Sequence, residues 1–149
     1  MPGASDAATI AFPGSYIVTV TAEAVKVGSI TISNISAALD FEAPGNTETV
    51  SGSVANSGRL LIDANAPGGT ILKIGGTLTN DGTFNIGNNA ATATTKVSVG
   101  GLTETGFGSI NVTGGAVLTV AGSSSNSIST LLQVDSSGIG GSQLNVGGC

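Results

Sequence analysis

Leu60-Leu61-Ile62-Asp63, Leu72-Lys73-Ile74-Gly75, Phe84-Asn85-Ile86-Gly87 and Val97-Ser98-Val99-Gly100 are four copies of one phrase. It runs apolar, middle residue, apolar, and usually a small residue. Four more copies follow: Ile110-Asn111-Val112-Thr113, Leu118-Thr119-Val120-Ala121, Leu132-Gln133-Val134-Asp135 and Leu144-Asn145-Val146-Gly147. Their first residues stand 12, 12, 13, 13, 8, 14 and 12 positions apart. In a strand, residues i and i+2 share a face, so the two apolar positions point one way and the middle residue the other. The middle residue is polar in seven of the eight copies. Each copy therefore reads as a short strand with one buried and one wet side. The expected wet row is Lys73, Asn85, Ser98, Asn111, Thr119, Gln133 and Asn145.

Two successive intervals sum to 24 (60 to 84), 26 (84 to 110) and 22 (110 to 132). A unit of that length cannot bury its apolar face alone and does so by stacking on its neighbours. The expected fold is all-β: a right-handed parallel β-helix (solenoid) of about six coils, roughly 30 Å tall at ~4.8 Å per coil. A β-sandwich is the alternative, because short strands with turn signals also suit it. The chain reads as one solenoid domain over residues 1–149, less regular over 1–57 and regular over 58–148. In the first part, Ala8-Thr9-Ile10-Ala11-Phe12 reads as an entry strand. Tyr16-Ile17-Val18-Thr19-Val20-Thr21, Ser29-Ile30-Thr31-Ile32 and Leu39-Asp40-Phe41-Glu42 read as further alternating strands. Glycine pairs such as Gly75-Gly76, Gly100-Gly101 and Gly114-Gly115 mark corners.

Composition agrees. Of 149 residues, 24 are Gly, 40% are hydrophobic and only 3% aromatic, so the core must be built from Val, Ile and Leu. Charged residues are 9%, with a net charge of −5. Lys26, Arg59, Lys73 and Lys96 are scattered singly, which predicts no nucleic-acid partner, since that requires a clustered basic footprint. No apolar run approaches the ~18 residues of a spanning helix, and no membrane insertion is expected. The opening Met1-Pro2-Gly3 lacks a basic and apolar leader, which fits a cytosolic protein or, the favoured reading, a leader already removed or a fragment.

The chemistry is sparse. His is absent and the single Cys is Cys149, behind Gly147-Gly148. That excludes a zinc site and a Ser–His–Asp triad. Cys149 is read as an assembly or handle thiol. Asp40 and Glu42, two apart on a strand, share a face; they are read as its solvent side, with Leu39 and Phe41 inward. Asp63, Asp81 and Asp135 sit at corners, where Asp bonds the backbone. Thr-x-Thr pairs at 19/21, 47/49, 77/79, 92/94 and 103/105 are spaced 28, 30, 15 and 11 apart, so no single Thr ladder is expected. No catalytic residue, cofactor or metal site is predicted, and the chain is not read as an enzyme.

The run Pro2-Gly3-Ala4-Ser5-Asp6-Ala7-Ala8-Thr9-Ile10, with Tyr16-Ile17-Val18-Thr19-Val20, Val27-Gly28-Ser29-Ile30-Thr31-Ile32 and Leu78-Thr79-Asn80-Asp81-Gly82-Thr83-Phe84-Asn85-Ile86, resembles the repeat regions of large secreted bacterial surface proteins, the autotransporter passengers and adhesin-like proteins. The resemblance implies a secreted parallel β-helix at or beyond the bacterial surface and supplies no catalytic residue. The function then expected is structural: an adhesin shaft or self-assembling filament subunit. Its partners would be further copies stacked end to end or further coils of a longer chain, with a polysaccharide or host surface as ligand. The alternative is a carbohydrate-binding or carbohydrate-active β-helix module.

Overall fold

A computed structural model describes residues 3–21, 24–65, 67–126, 131–135 and 141–147. The strands are β1 (Ala7–Ile10), β2 (Tyr16–Val20), β3 (Lys26–Val27), β4 (Ser29–Ile32), β5 (Ala37–Phe41), β6 (Thr47–Val50), β7 (Val54–Asn56) and β8 (Arg59–Ile62). Then come β9 (Ile71–Asn80), β10 (Thr83–Ile86), β11 (Lys96–Glu104), β12 (Ser109–Val112), β13 (Val117–Val120), β14 (Ser124–Ser125), β15 (Leu131–Val134) and β16 (Gln143–Val146). No helix occurs among the described residues, and every pairing of these strands is parallel. The chain is a β-solenoid of about five turns, and the sandwich alternative is excluded. The expected six coils correspond to six stacked rungs, which five turns separate.

Each coil has three faces rather than the two strands that the repeat suggests. Face one stacks β3, β6, residues 71–74 of β9, residues 96–99 of β11, β13 and β16. Face two stacks β1, β4, β7, residues 77–80 of β9, residues 101–104 of β11 and β14. Face three stacks β2, β5, β8, β10, β12 and β15. Face two was the part least visible in the repeat. Its Thr77-Leu78-Thr79-Asn80 and Leu102-Thr103-Glu104 follow directly on a face-one strand, with only glycines between.

Those glycines make the bend. Gly28, Gly52, Gly75, Gly100 and Gly122 line one edge of the stack, each lying against a backbone carbonyl of the preceding coil. A Cβ on Gly52 would stand 2.6 Å from the Gly28 carbonyl oxygen. The same backbone groups bond: Gly52 N–H donates to Gly28 O (2.7 Å) and Gly76 N–H to Gly52 O (2.8 Å). A side chain there would force adjacent coils apart.

The apolar residues of the three faces converge in one core. On face three, Leu39, Leu60, Phe84 and Ile110 form a buried column, with Phe41, Ile62, Ile86 and Val112 beside it. On face one the inner columns are Leu72, Val97 and Leu118, and Val50, Ile74, Val99 and Val120. In-register stacking of branched aliphatics fills this narrow interior without aromatic bulk.

Candidate functional site

The expected wet row divides between two faces. Lys73, Ser98, Thr119 and Asn145 form one outward column on face one. Asn85, Asn111 and Gln133 form another on face three. Alternate repeats fall on alternate faces because two repeats make one coil. Asn85 and Asn111 stack, with Asn111 Nδ2 donating to Asn85 Oδ1 at 2.7 Å. Cys149 lies outside the described residues.

Three further assignments change. The Asp40–Glu42 pair does share a face, and Leu39 and Phe41 do point inward, but Asp40 is not wet: it is 2% exposed. The segment after β8 folds over it, and Asn65 N–H donates to Glu42 Oε1 at 3.0 Å. Burial raises the Asp40 carboxyl well above its ordinary range, and the Glu42 carboxyl beside it adds to the rise. Asp63 does sit at a corner, yet it is a buried hub with a left-handed φ of 56°. Its carboxylate accepts from Thr70 N–H (2.9 Å), Thr70 Oγ1 (2.6 Å) and Thr95 Oγ1 (2.5 Å). Finally, a Thr column does exist on face two: Thr9, Thr31, Thr79 and Thr103 stack in register, interrupted by Ala55 and followed by Ser125. Its members belong to different sequence phrases, so the spacing of Thr-x-Thr pairs conceals it.

The interior holds a polar ladder that the repeat pattern misses. Ile32, Asn56, Asn80 and Glu104 occupy one inward column of face two. Asn56 Nδ2 donates to Asn80 Oδ1 (2.6 Å), and Asn80 Nδ2 donates to Glu104 Oε2 (3.1 Å). All three are buried, and Glu104 Oε1 has no hydrogen-bond partner. Burial raises the Glu104 carboxyl to about 7, against a smaller lowering by Asn80. On face one, Glu48 stands in the inward column of Leu72, with Oε2 accepting from Val25 N–H (2.5 Å) and Oε1 unpartnered. Burial raises its pKa as well.

The two ends of the stack are the remaining distinctive surface. Val18 and Leu132 terminate the face-three column whose members Leu39, Leu60, Phe84 and Ile110 are buried, yet they are 41% and 46% exposed. Ile17 and Leu131 terminate the outward column of the same face and are 53% and 57% exposed. Val134 and Val146 are also exposed, on β15 and β16. Six of the nine exposed large hydrophobics among the described residues therefore lie on terminal rungs. At the later end a cavity of about 140 Å³ opens among Leu102, Glu104, Ile110, Asn126, Leu131 and Leu132. The backbone groups on the outer edges of these rungs have no further strand above or below them among the described residues.

No group of three or more His, Cys, Asp or Glu side chains is arranged for a metal ion among the described residues. Nor is any helix there long and apolar enough to cross a membrane. Comparison with protein-family models, with curated proteins and with solved structures returned no match.

Proposed function

We propose that this chain is a structural solenoid segment of an extracellular bacterial surface protein or fibre, acting as a shaft or filament subunit by pairing its ends with further coils. The carrying observation is that the described ends match in phase. Among the described residues each face has six rungs, beginning with β1, β2 and β3 and finishing with β14, β15 and β16. A second copy placed head to tail sets β1 on β14, β2 on β15 and β3 on β16 together. Exposed apolar residues then meet, Val18 above Leu132 in the core column and Ile17 above Leu131 outside it, while the buried Val27 stands above the exposed Val146. Open parallel edges with apolar flanks pair readily with another strand. A head-to-tail contact of this kind does not close, so it generates filaments rather than rings.

The test is sedimentation velocity over a concentration series, with reductant present to silence Cys149. The expected result is growth to species larger than the 14.3 kDa chain as concentration rises. Leu131→Lys, which charges only an exposed position, is expected to return the chain to monomer. A wild-type chain that stays monomeric throughout would overturn the proposal.

A further inference from the structure

Lysines far apart in sequence meet on face one. Lys26 and Lys73 share the outward column that continues through Ser98 and Thr119, with Thr49 between them. They are two rungs apart, about 10 Å at the spacing of paired strands. Lys96 lies one rung beyond Lys73 and two residues to the side, about 8 Å away by the same geometry. All three side chains are exposed. Three of the four basic residues of a chain with net charge −5 thus occupy one face. No exposed carboxylate shares it among the described residues, because Glu48 points into the core. Glu42 and Asp81 stand at corners instead, and the exposed Asp6 stands at the corner before β1, where its carbonyl accepts from Gly28 N–H.

Beside Lys73 and Lys96 the surface dips into a shallow cleft of about 260 Å³, lined also by Ile71, Ser98, Val117 and Thr119. Its apolar floor, hydroxyl-bearing sides and cationic rim describe a specific ligand chemistry. Aliphatic side chains accept the C–H face of a sugar ring, hydroxyls bond its hydroxyls, and ammonium groups pair with carboxylates as point charges. Nucleic acid would call for aromatic stacking platforms or arginine, and the described part of this face has neither. An anionic membrane would call for a denser basic cluster than three lysines.

We propose that face one binds a linear acidic polysaccharide of the uronate class, laid along the stack across Lys26, Lys73 and Lys96. This lateral site is separate from the ends and stands whether or not the chain forms filaments. The experiment is titration of the full chain, by calorimetry at low salt, with oligogalacturonate, with neutral dextran and with single-stranded poly-dT. Binding to oligogalacturonate is expected at least tenfold tighter than to either control, and weakened severalfold by raising the salt to about 0.5 M, where screening shortens the reach of exposed charges. The double variant Lys73→Gln/Lys96→Gln is expected to lose at least tenfold in affinity with an unchanged unfolding midpoint. Arg59→Gln, on face three, is expected to bind like wild type. Absence of oligogalacturonate binding, an equal loss in Arg59→Gln, or poly-dT binding as tight as the uronate would each overturn the proposal.

Discussion

Glu104 ends a line of buried amides without a donor for its second oxygen, and that makes it the most informative single residue. Its carboxyl, like those of Glu48 and Asp40, holds a proton more tightly in the folded chain than in the unfolded one. Folding therefore takes up protons. The resulting stability is complete below the ordinary carboxylate range near 4 and is lost as pH rises through about 7, the folded value for Glu104. Thermal unfolding is expected to show a higher midpoint at pH 5 than at pH 8. Glu104→Gln, which keeps the shape and removes the charge, is expected to raise stability at pH 8 by about 2 kcal/mol and to flatten the pH profile. A midpoint that rises from pH 5 to pH 8 would contradict this. Asn80 is the opposite case. It accepts from Asn56 and donates to Glu104, Gly82 O and Ser109 O. Asn80→Ala is expected to cost about 3 kcal/mol in denaturant unfolding, through an orphaned amide and a cavity. The burial of these residues was not legible in the sequence, and Asp40 was read as solvent-facing. The phrase that marks strands treats a polar residue as outward, and Asn80 and Glu104 stand where a stack has aligned them to bond one another inside.

At the scale of the element, the strand–corner rhythm was legible because period-2 alternation and glycine are both local signals. Leu72-Lys73-Ile74 and Phe84-Asn85-Ile86 became strands with the expected inward and outward sides. What the rhythm could not show is that β9 and β11 each run through a glycine bend to serve two faces. A strand such as Thr77-Leu78-Thr79-Asn80 has one apolar residue, and its second inward position is polar. The grouping of the lysines was hidden for the same reason, since only the inter-coil register brings residues 26, 73 and 96 to one face. The glycine edge gives an element-level expectation. Gly52→Ala places a Cβ against the Gly28 carbonyl, which is backbone and cannot step aside. We expect a loss of about 3 kcal/mol by urea unfolding, from overpacking and strain. A loss under ~0.5 kcal/mol would mean that the coils separate easily at this corner.

For the whole molecule, the stack-and-pair reading makes a distinctive demand on symmetry. A head-to-tail contact joins unlike ends, so damage to either end should abolish it. Ile17→Lys spoils one end and Leu131→Lys the other, and each alone is expected to be monomeric by light scattering. Mixed in equal amounts, each variant still has one intact end, and those two ends are complementary. The mixture is expected to form dimers and stop there. An isologous contact would behave otherwise, because one of the two single variants would dimerise by itself. The solenoid was legible at this scale from the summed repeat interval of 22 to 26 residues. The condition of its ends was not, because the exposure of Val18 or Leu132 depends on which rung is terminal.

The most direct test is negative-stain electron microscopy of the purified chain at micromolar concentration and neutral pH, with reductant. Unbranched filaments one solenoid wide are the expected result, and they should disappear in Leu131→Lys. Discrete particles one solenoid long at every concentration would contradict end pairing.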